Sequence, residues 1–108
     1  MCVLIVPVMT SWTSADTSCE SNRNGRLAVL DTAEKMALIP ATGMYWVGAT
    51  RDEDGSPHFS WLTSERVSPQ PIQNTGGEMC MSGNAGGFYD YPCTNDLHYI
   101  CELYTDML

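Results

Sequence analysis

The apolar positions of this chain change period along its length. From Val3 to Met9 they run almost unbroken and β-branched, which predicts a core strand. The run is interrupted by Pro7 and has no basic residues ahead of it, so it fits a strand better than a signal peptide. Thr10 or Ser11 can cap a following helix, in which Trp12, Ala15 and Cys19 share one face and Asp16 and Glu20 another. Asn24-Gly25 closes that helix and turns the chain. Leu27 to Leu30 reads as a short buried strand. Asp31 as N-cap, with Glu34 three positions on, predicts a second short helix to about Leu38, stopped by Pro40.

In the second half the period shortens to that of strands. Tyr45 to Ala49 is a dense apolar strand, Arg51 to Gly55 a charged turn, and His58 to Leu62 an alternating strand. Thr63 to Glu78 shows no period and reads as a long loop. Met79 to Ser82 is a short strand, Gly83 to Gly87 a turn, and Phe88 to Asp90 and His98 to Leu103 are the last strands. Helices first and strands later predict an α+β domain, two helices packed on a twisted antiparallel sheet, with 108 residues forming one domain.

Composition narrows the chemistry. A formal net charge of -8 argues against nucleic acid, whose phosphates such a surface repels. No stretch is long enough to span a membrane. Five cysteines occur without a C-x-x-C, and His58 and His98 stand alone, so the cysteines read as disulfides of an oxidising compartment rather than zinc ligands. Sequence alone does not set their pairing. There is no G-x-S-x-G, no His-Glu-x-x-His and no phosphate loop, and the two histidines have no partnered nucleophile, so an enzyme is not expected. Asp52, Glu53 and Asp54, ending in Asp-Gly, read as a solvated hairpin turn, with help in holding a cation as the alternative. Trp12, Trp46 and Trp61 have apolar neighbours and are assigned to the core.

Five segments, in order, resemble the C-type lectin-like domain. Trp12-x-x-Ala15-x-x-x-Cys19 looks like that family's first helix, and Gly25-Arg26-Leu27-Ala28 like its Gly-x-Leu-Ala strand. Tyr45-Trp46-Val47-Gly48-Ala49 resembles the Trp-Ile-Gly-Leu core strand. Cys80 with Phe88-Tyr89-Asp90-x-x-Cys93 resembles Cys…Trp-Asn-Asp-x-x-Cys, and Tyr99-Ile100-Cys101-Glu102 the closing strand. The resemblance implies a secreted, disulfide-stapled recognition domain with Cys19 joined to Cys101 and Cys80 to Cys93. It leaves Cys2 over: the remnant of a truncated N-terminal hairpin, a free thiol, or a bridge to another chain in an oligomer.

The resemblance also implies a ligand site. Calcium-dependent members carry Glu-Pro-Asn or Gln-Pro-Asp in the long loop, then a Glu, then the Asn-Asp pair. Here Gln70, Glu78 and Asp90 are kept, while Ile72 and Tyr89 replace oxygen donors; a protonated phenol is a poor calcium ligand. Met79 stands where many members place a second carboxylate. The Trp61-to-Gln70 interval is shorter than usual in the family, and Pro71 corresponds to its cis proline. Calcium wants six to eight oxygens, several anionic, so Gln70, Glu78 and Asp90 imply affinity of about millimolar order or worse. Tyr89 and Tyr91 flank Asp90 and are candidates either to stack on a ligand or to pack in the core. Two functions follow: glycan binding through a weak or degenerate Ca2+ site formed by Gln70, Glu78 and Asp90, with Tyr89 beside it, or calcium-independent binding of an extracellular protein. A matrix role for the acidic surface is a third.

Overall fold

The computed structural model describes residues 2–21, 25–52, 58–68 and 78–103. Within them the elements are β1 (Cys2–Thr10), α1 (Trp12–Glu20), β2 (Arg26–Leu27), α2 (Ala33–Met36), β3 (Tyr45–Arg51), β4 (Phe59–Trp61), β5 (Cys80–Asn84), β6 (Gly87–Tyr91) and β7 (Leu97–Leu103). The main sheet runs β1-β7-β3-β5-β6, with β2 added on β7 and β4 on β3. Its described pairings are antiparallel except β3 with β7, where Tyr45 and Trp46 run parallel to His98 and Tyr99. The sheet is therefore mixed, not wholly antiparallel.

The helices start where side chains can satisfy the first N–H groups. Ser11 caps α1, its hydroxyl accepting from the Ser14 N–H. Thr32, not Asp31, caps α2, accepting from the Lys35 N–H, which leaves the Asp31 carboxylate to meet the Lys35 ammonium at 3.4 Å. α2 is a single turn that ends at Met36, short of Leu38. The strand expected over Leu27 to Leu30 is hydrogen-bonded as a strand only at Arg26–Leu27, although Ala28, Val29 and Leu30 are buried. Residue 24 of the expected Asn24-Gly25 stop lies outside the described residues; α1 itself ends at Glu20 with Ser21 as C-cap.

Alternation along β3 and β7 feeds two apolar layers, one on each sheet face. Val47, Ala49 and Ile100 join Ala28, Phe59, Trp61, Met81 and Phe88 in one. Trp46, Tyr99 and Cys101 join Ala15, Cys19, Leu27 and Cys80 under α1 in the other. The indoles of Trp12 and Trp46 are satisfied by the carbonyls of Val47 and Thr10, each at 2.8 Å. Gly48 lies where two backbones meet: a Cβ there would fall 2.5 Å from the Leu27 carbonyl oxygen. Disulfides join Cys19 to Cys101 and Cys80 to Cys93, with Cα–Cα separations of 5.5 and 5.2 Å.

β1 is a strand, but not a core one. It pairs with β7 at the sheet edge, and Leu4, Ile5, Val8 and Met9 are exposed. The Cys2 side chain, with its expected roles, lies outside the described residues.

Candidate functional site

β3 extends two residues beyond the apolar run that announced it. Thr50 pairs with Cys80, Arg51 pairs with Phe59, and the Arg51 N–H donates to the Met79 carbonyl at 2.9 Å. Arg51 is thus the last residue of a strand, not the first of a turn. Its side chain is only 10% exposed and is held on three sides. Nε donates to the Glu78 carbonyl at 2.9 Å. One terminal nitrogen meets Asp90 Oδ2 at 3.4 Å. The guanidinium lies 4.7 Å over the Phe59 ring, a cation–π arrangement. The Asp90 side chain is 4% exposed, so the pair is shielded from solvent and salt.

Of the four residues expected to form the ligand site, Glu78, Tyr89 and Asp90 lie within the described residues. Asp90 and Glu78 do meet, but around Arg51, and Glu78 contributes its main-chain carbonyl to that contact. Tyr89 belongs to the opposite sheet face. Met81 and Phe88, on the Asp90 side of the β5–β6 ladder, lie in one apolar layer, whereas Tyr91, two residues from Tyr89, packs with Trp46 and Cys80 in the other. Gln70 lies outside the described residues, as do Pro71, Ile72, Glu53 and Asp54. Asp52 is half-buried, with its carboxylate 4.0 Å from Arg66.

The described donors do not fit a calcium cradle. Calcium needs several anionic oxygens turned to one point, and no group of three or more His, Cys, Asp or Glu side chains converges in this way among the described residues. The Asp90 carboxylate already faces a fixed cation. A second cation against the same oxygens would be repelled by the guanidinium, by about 4 kcal/mol per pair of unit charges at 4 Å in a partly screened site.

The other face of β6 borders an open pocket of about 300 Å³, lined by Gly43, Met44, Asn84, Tyr89, Asp90 and Tyr91. The Tyr91 ring packs edge-on to Trp46, 6.0 Å between centroids. Asn84 braces the rim: its Nδ2 donates to the Gly43 carbonyl at 2.7 Å, and its Oδ1 accepts from the Gly86 N–H at 2.8 Å.

Arg51 escaped the sequence reading, which placed it at the head of a solvated turn. The signal was present. In Val47-Gly48-Ala49-Thr50-Arg51, alternation puts Arg51 on the same face as Val47 and Ala49, and both of those are core residues. The same rule separates Tyr89 from Asp90.

Elsewhere in the fold, two further carboxylates are unusual. Glu102 is 1% exposed and accepts from the Val29 N–H at 2.7 Å; Arg26 at 3.0 Å and Lys35 at 3.7 Å balance its charge. Asp16, on α1, has its Oδ1 buried without a hydrogen-bond partner. Burial, then a hydrogen bond and charge repulsion from Glu20, raise its pKa from 3.8 to about 6, against the lowering effect of the Leu27 main chain.

Among solved structures, human lithostathine superimposes with a TM-score of 0.78 at 18% identity, covering 96% of this chain and 92% of that one. A C-type lectin of the tunicate Polyandrocarpa misakiensis gives a TM-score of 0.76 at 22% identity, covering 96% and 98%. A calcium-independent type II antifreeze protein gives a TM-score of 0.71 at 20% identity, covering 93% and 83%. Sequence comparison with curated proteins finds no significant match. The family model described as the lectin C-type domain matches residues 8–103. Together with the order of elements and the disulfide frame, this match shows that the chain belongs to the C-type lectin domain family.

Proposed function

We propose that this domain is a calcium-independent extracellular recognition module whose ligand is a protein. The observation that carries the reading is the ion pair between Arg51 and Asp90 at 3.4 Å. It gives the retained carboxylate a built-in cation, which balances the charge of Asp90 and engages its Oδ2, one of the oxygens that a metal would need. A buried pair of this kind is hard to open, because separating it leaves an unpaired charge in a low-dielectric site at a cost of about 3–5 kcal/mol.

Two further points support the reading. The fold is compatible with work without calcium, since a calcium-independent antifreeze protein shares it. Two disulfides bracket the sheet, and such bonds persist in secreted proteins. The competing reading, glycan binding through weak Ca2+ at Gln70, Glu78 and Asp90, requires Asp90 to leave Arg51.

The test is to display the domain against a glycan array and against a panel of extracellular protein domains, in chelator and in calcium. The proposal predicts chelator-resistant binding to a protein domain and a silent glycan array. Glycan binding that appears with calcium and disappears with chelator would return the domain to the lectins proper.

A further inference from the structure

We propose that the pocket between the Gly43 loop and strand β6 receives a basic side chain, lysine or arginine, from the protein partner, held against the faces of Tyr89 and Tyr91. This rests on the protein-binding reading above and names the chemistry of the partner.

The first support is the lining. Tyr89, Tyr91 and Met44 offer two aromatic rings and a polarisable thioether, and no basic side chain among the described residues borders the pocket. Among the described lining residues Asp90 alone carries a carboxylate, and alternation turns that group to the Arg51 face, where it is already balanced. Aromatic rings carry negative charge on their faces and attract cations, more strongly where water is partly excluded. A volume of about 300 Å³ lies at the small end of ligand pockets and suits a single side chain.

The second support is the charge balance of the rest of the molecule. The chain has 5 basic and 13 acidic residues. Each described basic side chain already faces a carboxylate of its own: Arg26 with Glu102, Lys35 with Asp31 and Glu102, Arg51 with Asp90, and Arg66 with Asp52. The fifth, Arg23, lies outside the described residues. The described cations are thus each paired within the protein, and the chain as a whole carries an acidic excess. Such a field steers basic partners towards the surface and disfavours acidic ones.

The third support is preorganisation. The Asn84 amide ties the tip of the β5–β6 hairpin to Gly43, and the Ala85 N–H donates to the Pro40 carbonyl at 2.8 Å, so two loops are clamped before any ligand arrives. Gly43 has φ +91°, and a Cβ there would sit 3.1 Å from the Tyr45 ring, so the wall needs glycine. The same clamp engages one N–H and one lone pair of the Asn84 amide inside the protein.

The test is a two-dimensional amide NMR titration of the whole chain in chelator. The probes are Nα-acetyl-lysine methylamide, its uncharged counterpart Nα-acetyl-norleucine methylamide, and methyl mannoside. The proposal predicts saturable shifts centred on Met44, Asn84, Tyr89 and Tyr91 with the lysine probe alone, weakening as salt is raised. Tyr89→Phe keeps the ring and keeps the binding; Tyr89→Leu keeps the bulk and loses about 2- to 30-fold in affinity. Equal shifts with the norleucine probe, shifts from the mannoside at these residues, or lysine shifts scattered over the acidic surface would each overturn it, as would the absence of any shift in both chelator and calcium. Repeating the titration in calcium separates the two proposals. Lysine binding that appears only with calcium would refute the calcium-independent reading and leave the pocket standing.

Discussion

The guanidinium of Arg51 reaches from the end of β3, past the intervening β5, to the carboxylate of Asp90 on β6 at 3.4 Å. It carries charge into a layer otherwise built of Phe59, Met81 and Phe88. Arg51 also fastens the Glu78 carbonyl, two residues ahead of β5.

Removing one partner exposes what the pair contributes. Arg51→Met leaves Asp90 buried and unpaired and is predicted to cost about 3–5 kcal/mol in chemical denaturation. The double variant Arg51→Met with Asp90→Leu recovers most of that loss, because a well-packed apolar replacement has no charge to solvate. A double variant no more stable than Arg51→Met would show that the stability resides in the Glu78 and Phe59 contacts instead.

Asp16 predicts a pH dependence of definite sign. Its folded pKa of about 6 lies above the ordinary 3.8. Between those values the folded state holds a proton that the unfolded chain has released, so this group's stabilisation is present below about 4 and is lost as pH rises through about 6. Asp16→Asn is predicted to raise the melting temperature at pH 7 and to flatten this part of the profile. Wild-type and variant melts taken from pH 4 to pH 7 would run parallel if the carboxyl were not responsible.

The Cys19–Cys101 bond spans 82 residues of sequence. In the chain-entropy treatment, replacing both cysteines by alanine costs about 4–5 kcal/mol, more than opening the 13-residue Cys80–Cys93 span. Denaturant midpoints of the two double variants give the order directly.

Gly48→Ala tests the close approach of β3 to Leu27 and Ala28. The added methyl meets main-chain oxygens at 2.5 and 3.1 Å, which cannot rotate away. Overpacking of this kind is predicted to cost about 1–3 kcal/mol, read from the shift in midpoint.

Much of the fold was legible because local chemistry and tertiary role agree. Ser11 caps a helix whose Ala15 and Cys19 are buried, and Tyr45 to Ala49 is a core strand by composition alone. Legibility fails where two residues offer the same local service, as with Asp31 and Thr32 at the start of α2; there the neighbouring Lys35 draws Asp31 into an ion pair and leaves Thr32 the cap. It fails again where an apolar run implies burial: β1 has the composition of a core strand, but its place at the sheet edge leaves much of it exposed, and nothing in the run encodes its neighbours. The family pattern placed Glu78, Tyr89 and Asp90 together as a motif. It took the pleat of β6 to turn Tyr89 and Asp90 to opposite faces, and a residue outside the motif, Arg51, pairs with Asp90.

The central claim is that Arg51 takes the place of a metal beside Asp90. Calorimetric titration of Ca2+ into chelator-stripped protein tests it most directly, with a thermal melt at each concentration. The account predicts no saturable heat and no rise in melting temperature up to about 10 mM, well above the range of sensor sites. Saturable binding below about 1 mM, lost in Asp90→Asn, would contradict it.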